Sequence, residues 1–151
     1  MIKIVKATVQ DIDKVLDARY ETIKAVCNLE ESYCFSERFM EDTKKYFQNA
    51  EQTTVLALDG ENVVGCATLC YVWLVPTFDH SGGKRGHIMN VYTNRRYRRQ
   101  GIAYQMMNML IDDARGKGAT ELSLDATEDG RPLYEKCGFV ASTEGMVLKL
   151  N

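Results

Sequence analysis

The chain has 151 residues, 45% hydrophobic and 26% charged, an ordinary balance for a soluble globular protein with material for one core. A formal net charge of −2 excludes a global pull towards nucleic acid or an anionic membrane, so any anion site must be local. There is no apolar run of membrane-spanning length and MIKIVKATVQD enters structure directly, so the expectation is a single cytoplasmic domain over residues 1–151 with no membrane partner.

Residues 2–6 (IKIVK) read as a first strand. Thr8 followed by Asp11 is an N-cap signal, and Ile12, Val15, Leu16, Arg19 and Ile23 then mark one helical face to about Val26. Residues 27–35 form a loop, and Ser36 caps a second helix with Phe39, Met40, Thr43, Tyr46 and Phe47 as its inner stripe. Thr54 to Leu58 and Val63 to Val72 are strands joined by Asp59-Gly60-Glu61-Asn62, a hairpin signal. A long connection with Gly82 and Gly83 leads to a fourth strand, His87 to Thr93, rich in β-branched and aromatic residues. If that strand is undistorted, His87, Met89, Val91 and Thr93 share one face; a bulge would break the set.

From Gly101 the apolar period changes: Ile102, Met106, Met109 and Leu110 lie on one face of a helix that Gly116 and Gly118 stop. Glu121 to Ala126 is a fifth strand. Asp129-Gly130-Arg131-Pro132 opens a last helix, Gly138-Phe139 ends it, and residues 139–141 and 145–150 read as a closing strand pair. The implied fold class is α/β, a mixed sheet with helices on both faces. The five cysteines, at 27, 34, 66, 70 and 137, contain no C-x-x-C, and the two histidines lie far from them, so no metal site is expected.

The junction before the central helix has the physics of an anion site. A helix start exposes backbone N–H groups without partners and carries the positive end of the macrodipole. Gly101 and Ala103 are small, and Arg98 and Arg99 add charge. Such a turn suits a phosphate or pyrophosphate. Arg98-Arg99-Gln100-Gly101-Ile102-Ala103 fits Q/R-x-x-G-x-G/A and follows a strand that ends Val91-Tyr92-Thr93, and this resembles the acetyl-CoA-binding motif of the GNAT superfamily of N-acetyltransferases. Leu122 to Phe139 (LSLDATEDGRPLYEKCGF) resembles the next motif of that family, with a tyrosine shortly before a Gly-Phe corner. The resemblance covers essentially the whole chain.

The resemblance implies a GNAT-like acyl-CoA N-acyltransferase fold and direct transfer of the acetyl group of acetyl-CoA to a primary amine of a small molecule or an exposed protein amine. It makes Tyr134 the expected proton donor to the leaving thiolate. It puts His87 near where several members place a glutamate base, and an imidazole has the right pKa range for that work. Val91 and Thr93 are expected to meet the pantetheine arm as an added strand would. Arg98, Arg99, Gln100, Gly101, Ile102 and Ala103 are expected to hold the pyrophosphate, largely through backbone N–H groups. Thr127 stands where the family often has asparagine, and Arg131 is a candidate for a CoA phosphate. Glu30, Glu31, Tyr33, Asp79 and His80 are acceptor-site candidates, and a homodimer through the closing strands is what relatives often form. Cys137, near Tyr134, is the one residue that invites a covalent reading, and a buried filler is the alternative. A non-catalytic acyl-CoA sensor or scaffold remains the second reading; nucleic-acid binding by Arg95, Arg96, Arg98 and Arg99 lacks a wider basic stripe.

Overall fold

Alternation in the strands decides the architecture. The computed structural model describes residues 1–151, with strands β1 (Ile2–Lys6), β2 (Gln52–Asp59), β3 (Asn62–Trp73), β4 (Lys84–Thr93) and β5 (Leu122–Leu124). The helices are α1 (Ile12–Val26), α2 (Glu37–Asn49), α3 (Ile102–Gly116) and α4 (Arg131–Lys136), with 3-10 turns at Val9–Asp11 and Arg95–Tyr97. The sheet order is β1-β2-β3-β4-β5, antiparallel throughout except for the parallel β4–β5 pair. Asp59 pairs with Asn62 across Gly60-Glu61, which is the expected hairpin.

On one sheet face Val55, Ala57, Ala67, Leu69 and Ile88 pack against Ile102, Met106, Met107, Leu110 and Ala114 of α3. On the other face Leu56 and Cys66 meet Val15 and Ala18 of α1. Helices therefore cover both faces, unequally: 12 buried residues form the α3-side core and 4 the α1-side core. Each fully buried aliphatic side chain contributes roughly 1.5–3 kcal/mol, so the α3 side holds the fold and the α1 side is left room for cavities. The α2 stripe reflects this: α2 buries no residue, Phe47 packs at the edge of the α1-side core, and with Phe39, Thr43 and Tyr46 it walls a cavity.

Polar chemistry locks α3 to the sheet. Asp113 is buried, accepting from Lys6 Nζ at 2.8 Å, Thr53 Oγ1 at 2.6 Å and Tyr71 Oη at 2.7 Å, with Lys117 Nζ at 3.3 Å. Burial disfavours the charged carboxylate, but these donors outweigh it and hold its pKa well below the usual range.

The structure corrects three expectations. The fifth strand is three residues long, because β4 and β5 part after Ile88 and Leu124. The closing strand pair does not form: beyond Phe139 no backbone hydrogen bond is made, and Met146, Val147, Leu148 and Leu150 are 82–96% exposed. Alternating apolar residues make a strand only where an edge accepts their hydrogen bonds, and here none does. Finally, Thr8 forms its capping box, yet it opens the 3-10 turn and α1 begins at Ile12.

Candidate active site

β4 is distorted where it matters. Cys66 pairs with Tyr92 and Thr68 with Met89, so β4 carries one more residue than β3 between those pairs. The extra residue is absorbed at Asn90, whose φ is +62°, a left-handed conformation that asparagine tolerates better than most side chains. The bulge divides the expected face. His87 and Met89 stand opposite buried Ile88, whereas Val91 turns to the α3-side core. His87, Met89, Val91 and Thr93 therefore do not share a face, because the added residue reverses the alternation.

Buried Asn90 anchors a polar relay. Its side-chain amide donates to Thr68 Oγ1 at 3.1 Å and its Oδ1 accepts from Arg19 Nη1 at 3.1 Å. Thr68 and Thr54 hydroxyls lie 2.9 Å apart, and Thr54 Oγ1 donates to Gln52 Oε1 at 2.7 Å.

Past Ile88 the β4 edge has no strand neighbour, and a cleft of about 370 Å³ opens there between α1, β4 and the start of α4. His87, Val91, Thr127 and Tyr134 all line it, together with Arg19, Asn90 and Asp125. His87 Nδ1 is 2.8 Å from Ser123 Oγ and its Nε2 is 3.9 Å from Asp125 Oδ2. Ser123, on β5, orients the ring, and Asp125, exposed just past the end of that strand, lies near its Nε2.

Tyr134 is half-buried, and burial pushes its phenol above the ordinary value. Its ring meets Phe139 edge-on at 6.3 Å. Gly130 makes room for it, since a Cβ there would lie 2.9 Å from Tyr134 Cε2. Thr127 Oγ1 accepts from the Gly130 N–H at 3.2 Å, closing the turn into α4. Cys137 does not line the cleft; it packs at the rim of the core, and burial raises its thiol pKa, so the thiol stays protonated.

At the far end of β4 the basic turn is pinned at both sides. Tyr97 Oη donates to Asp59 Oδ2 at 2.7 Å, and Arg98 Nε donates to the Thr93 carbonyl at 3.0 Å. Gly101 begins α3 at φ +77°, Arg99 has φ +66°, and the first helical bond runs from Gln105 N to Gly101 O at 3.1 Å. The backbone N–H groups of Ile102, Ala103 and Tyr104 therefore have no acceptor. Arg98, Arg99, Gln100 and Gly101 are exposed, Ala103 half-buried and Ile102 buried in the core. Thr93 Oγ1 is buried without a partner.

A second cavity, about 420 Å³, lies between α2 and the sheet. Phe39, Tyr46, Phe47, Tyr71, Val72 and Met89 give it an apolar wall, with Asp42 and Arg19 as its charged groups. Arg19, Met89 and Asn90 line both cavities, so the two meet there. Glu30, Glu31, Tyr33 and Asp79 are exposed and line neither, and His80 is turned towards Thr120 and Glu121. Arg131 is exposed at the start of α4.

The structure thus brings His87, Tyr134, Val91 and Thr127 together and separates them from the α3 start by the length of the free β4 edge. Asn90, Ser123 and Asp125 escape the sequence reading because a bulge and a three-residue parallel pairing leave no local signature. Arg19 left one: a charged residue on the inner stripe of α1.

The sequence pattern of the acetyltransferase (GNAT) family matches residues 21–139. Glucosamine 6-phosphate N-acetyltransferase of Trypanosoma brucei brucei is 35% identical over 88 residues, 58% of each chain. That of Arabidopsis thaliana is 26% identical over 104 residues, 69% of this chain and 67% of its own. The crystal structure of a predicted acetyltransferase with acetyl-CoA from Clostridium acetobutylicum superposes with a TM-score of 0.85 at 25% identity, covering 99% of this chain and 97% of that one. With 119 consecutive positions inside the family pattern and the matching fold, this chain belongs to the acetyltransferase (GNAT) family.

Proposed function

We propose that the protein transfers the acetyl group of acetyl-CoA directly to a primary amine. The observation that carries this reading is the convergence of His87, Tyr134 and the open β4 edge on one cleft. The chain's own groups fit the co-substrate. The free edge at Val91 and Thr93 has backbone groups for the pantetheine amides, and the unpartnered N–H groups of Ile102, Ala103 and Tyr104 suit the pyrophosphate. Arg98, Arg99, Gln100 and Gly101 complete that turn, and Thr127 keeps a hydroxyl proton to donate at the cleft wall. When bound, acetyl-CoA supplies an electrophilic thioester carbon and a thiolate leaving group.

An aliphatic amine with pKa near ~10.4 is neutral only about one part in a thousand near pH ~7.4, so a base is needed. His87 Nε2 takes the ammonium proton, with Asp125 placed to stabilise the resulting imidazolium and Ser123 to fix the ring. The amine nitrogen bonds the acetyl carbon, the carbon–sulfur bond breaks, Tyr134 Oη gives its proton to sulfur, and the second proton shed by the nitrogen restores the phenol. Burial keeps that phenol protonated at neutral pH. Each positioned acid or base contributes roughly 10²–10⁴-fold. Relatives named as glucosamine 6-phosphate N-acetyltransferases support an amine acceptor. The same reading includes a homodimer built on the exposed closing segment, Val140 to Leu150; a monomeric sedimentation mass removes that part of it.

The test is thermal unfolding with acetyl-CoA at about a hundredfold its Kd, followed by release of free thiol in the presence of amines. Binding to the native state adds about 2.7 kcal/mol, a Tm rise of roughly 5–11 °C at this chain length. A rise without thiol release from any amine leaves only an acyl-CoA sensor, and no rise at saturation removes the transfer reading.

A further inference from the structure

Arg19 is a half-buried guanidinium whose only protein partner is Asn90 Oδ1 at 3.1 Å. It forms no ion pair, although eight lysine or arginine ion pairs are present elsewhere in the chain, and it lines both cavities. Burial lowers its pKa, the mark of a cation short of water and of an anion. Charges in such surroundings are normally paired. The Asn90 relay holds Arg19 in place, so the charge is aimed and not merely tolerated.

The surroundings define the anion. Arg19 is the only lysine or arginine lining either cavity, which matches one carboxylate held by a planar fork better than a dianionic phosphate. Next to Arg19 the larger cavity presents Phe39, Tyr46, Phe47, Tyr71 and Val72, a largely apolar wall, with Asp42 and Thr43 beside it on α2. On its other side Arg19 borders the cleft of His87 and Tyr134. A carboxylate on Arg19 therefore has a proton-transfer site to one side and an apolar chamber to the other.

We infer that the acceptor is a free α-amino acid with a large apolar side chain, bound through its carboxylate by Arg19. The inference rests on the acetyl-transfer reading above. The amine, one carbon from the carboxylate, reaches the cleft while the side chain fills the chamber. The nitrogen bonds the acetyl carbon and loses one proton, the thioester carbon–sulfur bond breaks, and the products are an N-acetyl amino acid and the CoA thiol. A peptide N-terminus lacks the neighbouring carboxylate and leaves Arg19 unpaired.

The experiment measures thiol release by the full chain with acetyl-CoA and four acceptors: L-phenylalanine, L-phenylalaninamide, phenethylamine and glucosamine 6-phosphate. Phenylalanine is expected to exceed the two carboxylate-free amines in kcat/KM by at least ~10–100-fold, the scale of one charged hydrogen-bonded contact, mostly through KM. In Arg19→Gln the ratio of phenylalanine to phenethylamine is expected to fall to about one, and Arg19→Lys to fall between. Equal or faster use of phenethylamine or phenylalaninamide by the wild-type protein overturns the inference, as does preference for the sugar phosphate. So does an unchanged ratio in Arg19→Gln, which would assign the arginine to the thioester. If acetyl-CoA raises the Tm and none of the four acceptors is used, the acceptor inference fails alone; if acetyl-CoA gives no rise, the transfer reading fails with it.

Discussion

Tyr134 depends on two neighbours that spacing alone does not pick out. Gly130 leaves the space its ring occupies, and Phe139 closes the ring's other side edge-on. Burial then raises its pKa, which suits a group that must arrive at the sulfur still carrying its proton. Tyr134→Phe is expected to lower kcat by about 10²-fold while leaving the Tm rise with acetyl-CoA unchanged. Because the phenol pKa is raised, the wild-type alkaline loss of kcat from its ionisation lies above the ordinary value of ~10, and the phenylalanine variant lacks that limb. An unchanged kcat would remove Tyr134 as the acid. Cys137→Ala is expected to keep near-normal turnover, since its thiol is protonated and outside the cleft; loss of turnover would revive a covalent route.

Two elements do opposite work along β4. The bulge at Asn90 rotates the strand so that His87 faces the cleft and Val91 the α3-side core. The turn at 94–101 ends that strand and presents the first amides of α3. Gly101 is the position on which the second device rests, because its φ is +77° and the space beyond it is open. Gly101→Val is expected to fold, with a backbone cost of about 1–2 kcal/mol that lowers the Tm by roughly 2–8 °C. Its side chain would stand over the Ile102 and Ala103 amides, so the Tm rise with acetyl-CoA should vanish. Calorimetry that finds acetyl-CoA binding intact in this variant would move the pyrophosphate elsewhere.

Across the whole molecule, the unequal cores decide where binding is possible. The α3 side is filled and cross-tied by Asp113, while the α1 and α2 side keeps two joined cavities. The Asp113 carboxylate has a depressed folded pKa. Its contribution is therefore complete above the unfolded value of ~3.9 and is lost as pH falls from there towards the folded value. Chemical denaturation between pH 6 and 2 should show this loss in the wild-type protein. Asp113→Ala, which leaves Thr53, Tyr71 and Lys6 without their acceptor, should lower stability by about 3 kcal/mol and flatten that acid-side fall. A variant as stable as the wild type would make the cluster incidental.

The sequence by itself determined the strands and helices from β1 to α4 and the order in which they follow one another. Apolar runs around an Asp-Gly turn marked β2 and β3, β-branched and aromatic residues marked β4, period-3.6 spacing marked α3, Ser36 and Gly101 marked where α2 and α3 begin, and the hexapeptide at 98–103 gave the family. These are local signals, each written within a few residues of the feature it specifies. Only the tertiary structure decided what long-range pairing controls. It placed the bulge that splits His87 from Val91, parted β5 from β4 after three pairs, left the closing segment without an edge, and set Arg19 between two cavities. Each of these depends on where a distant strand or helix face comes to lie, and no window along the chain carries that information.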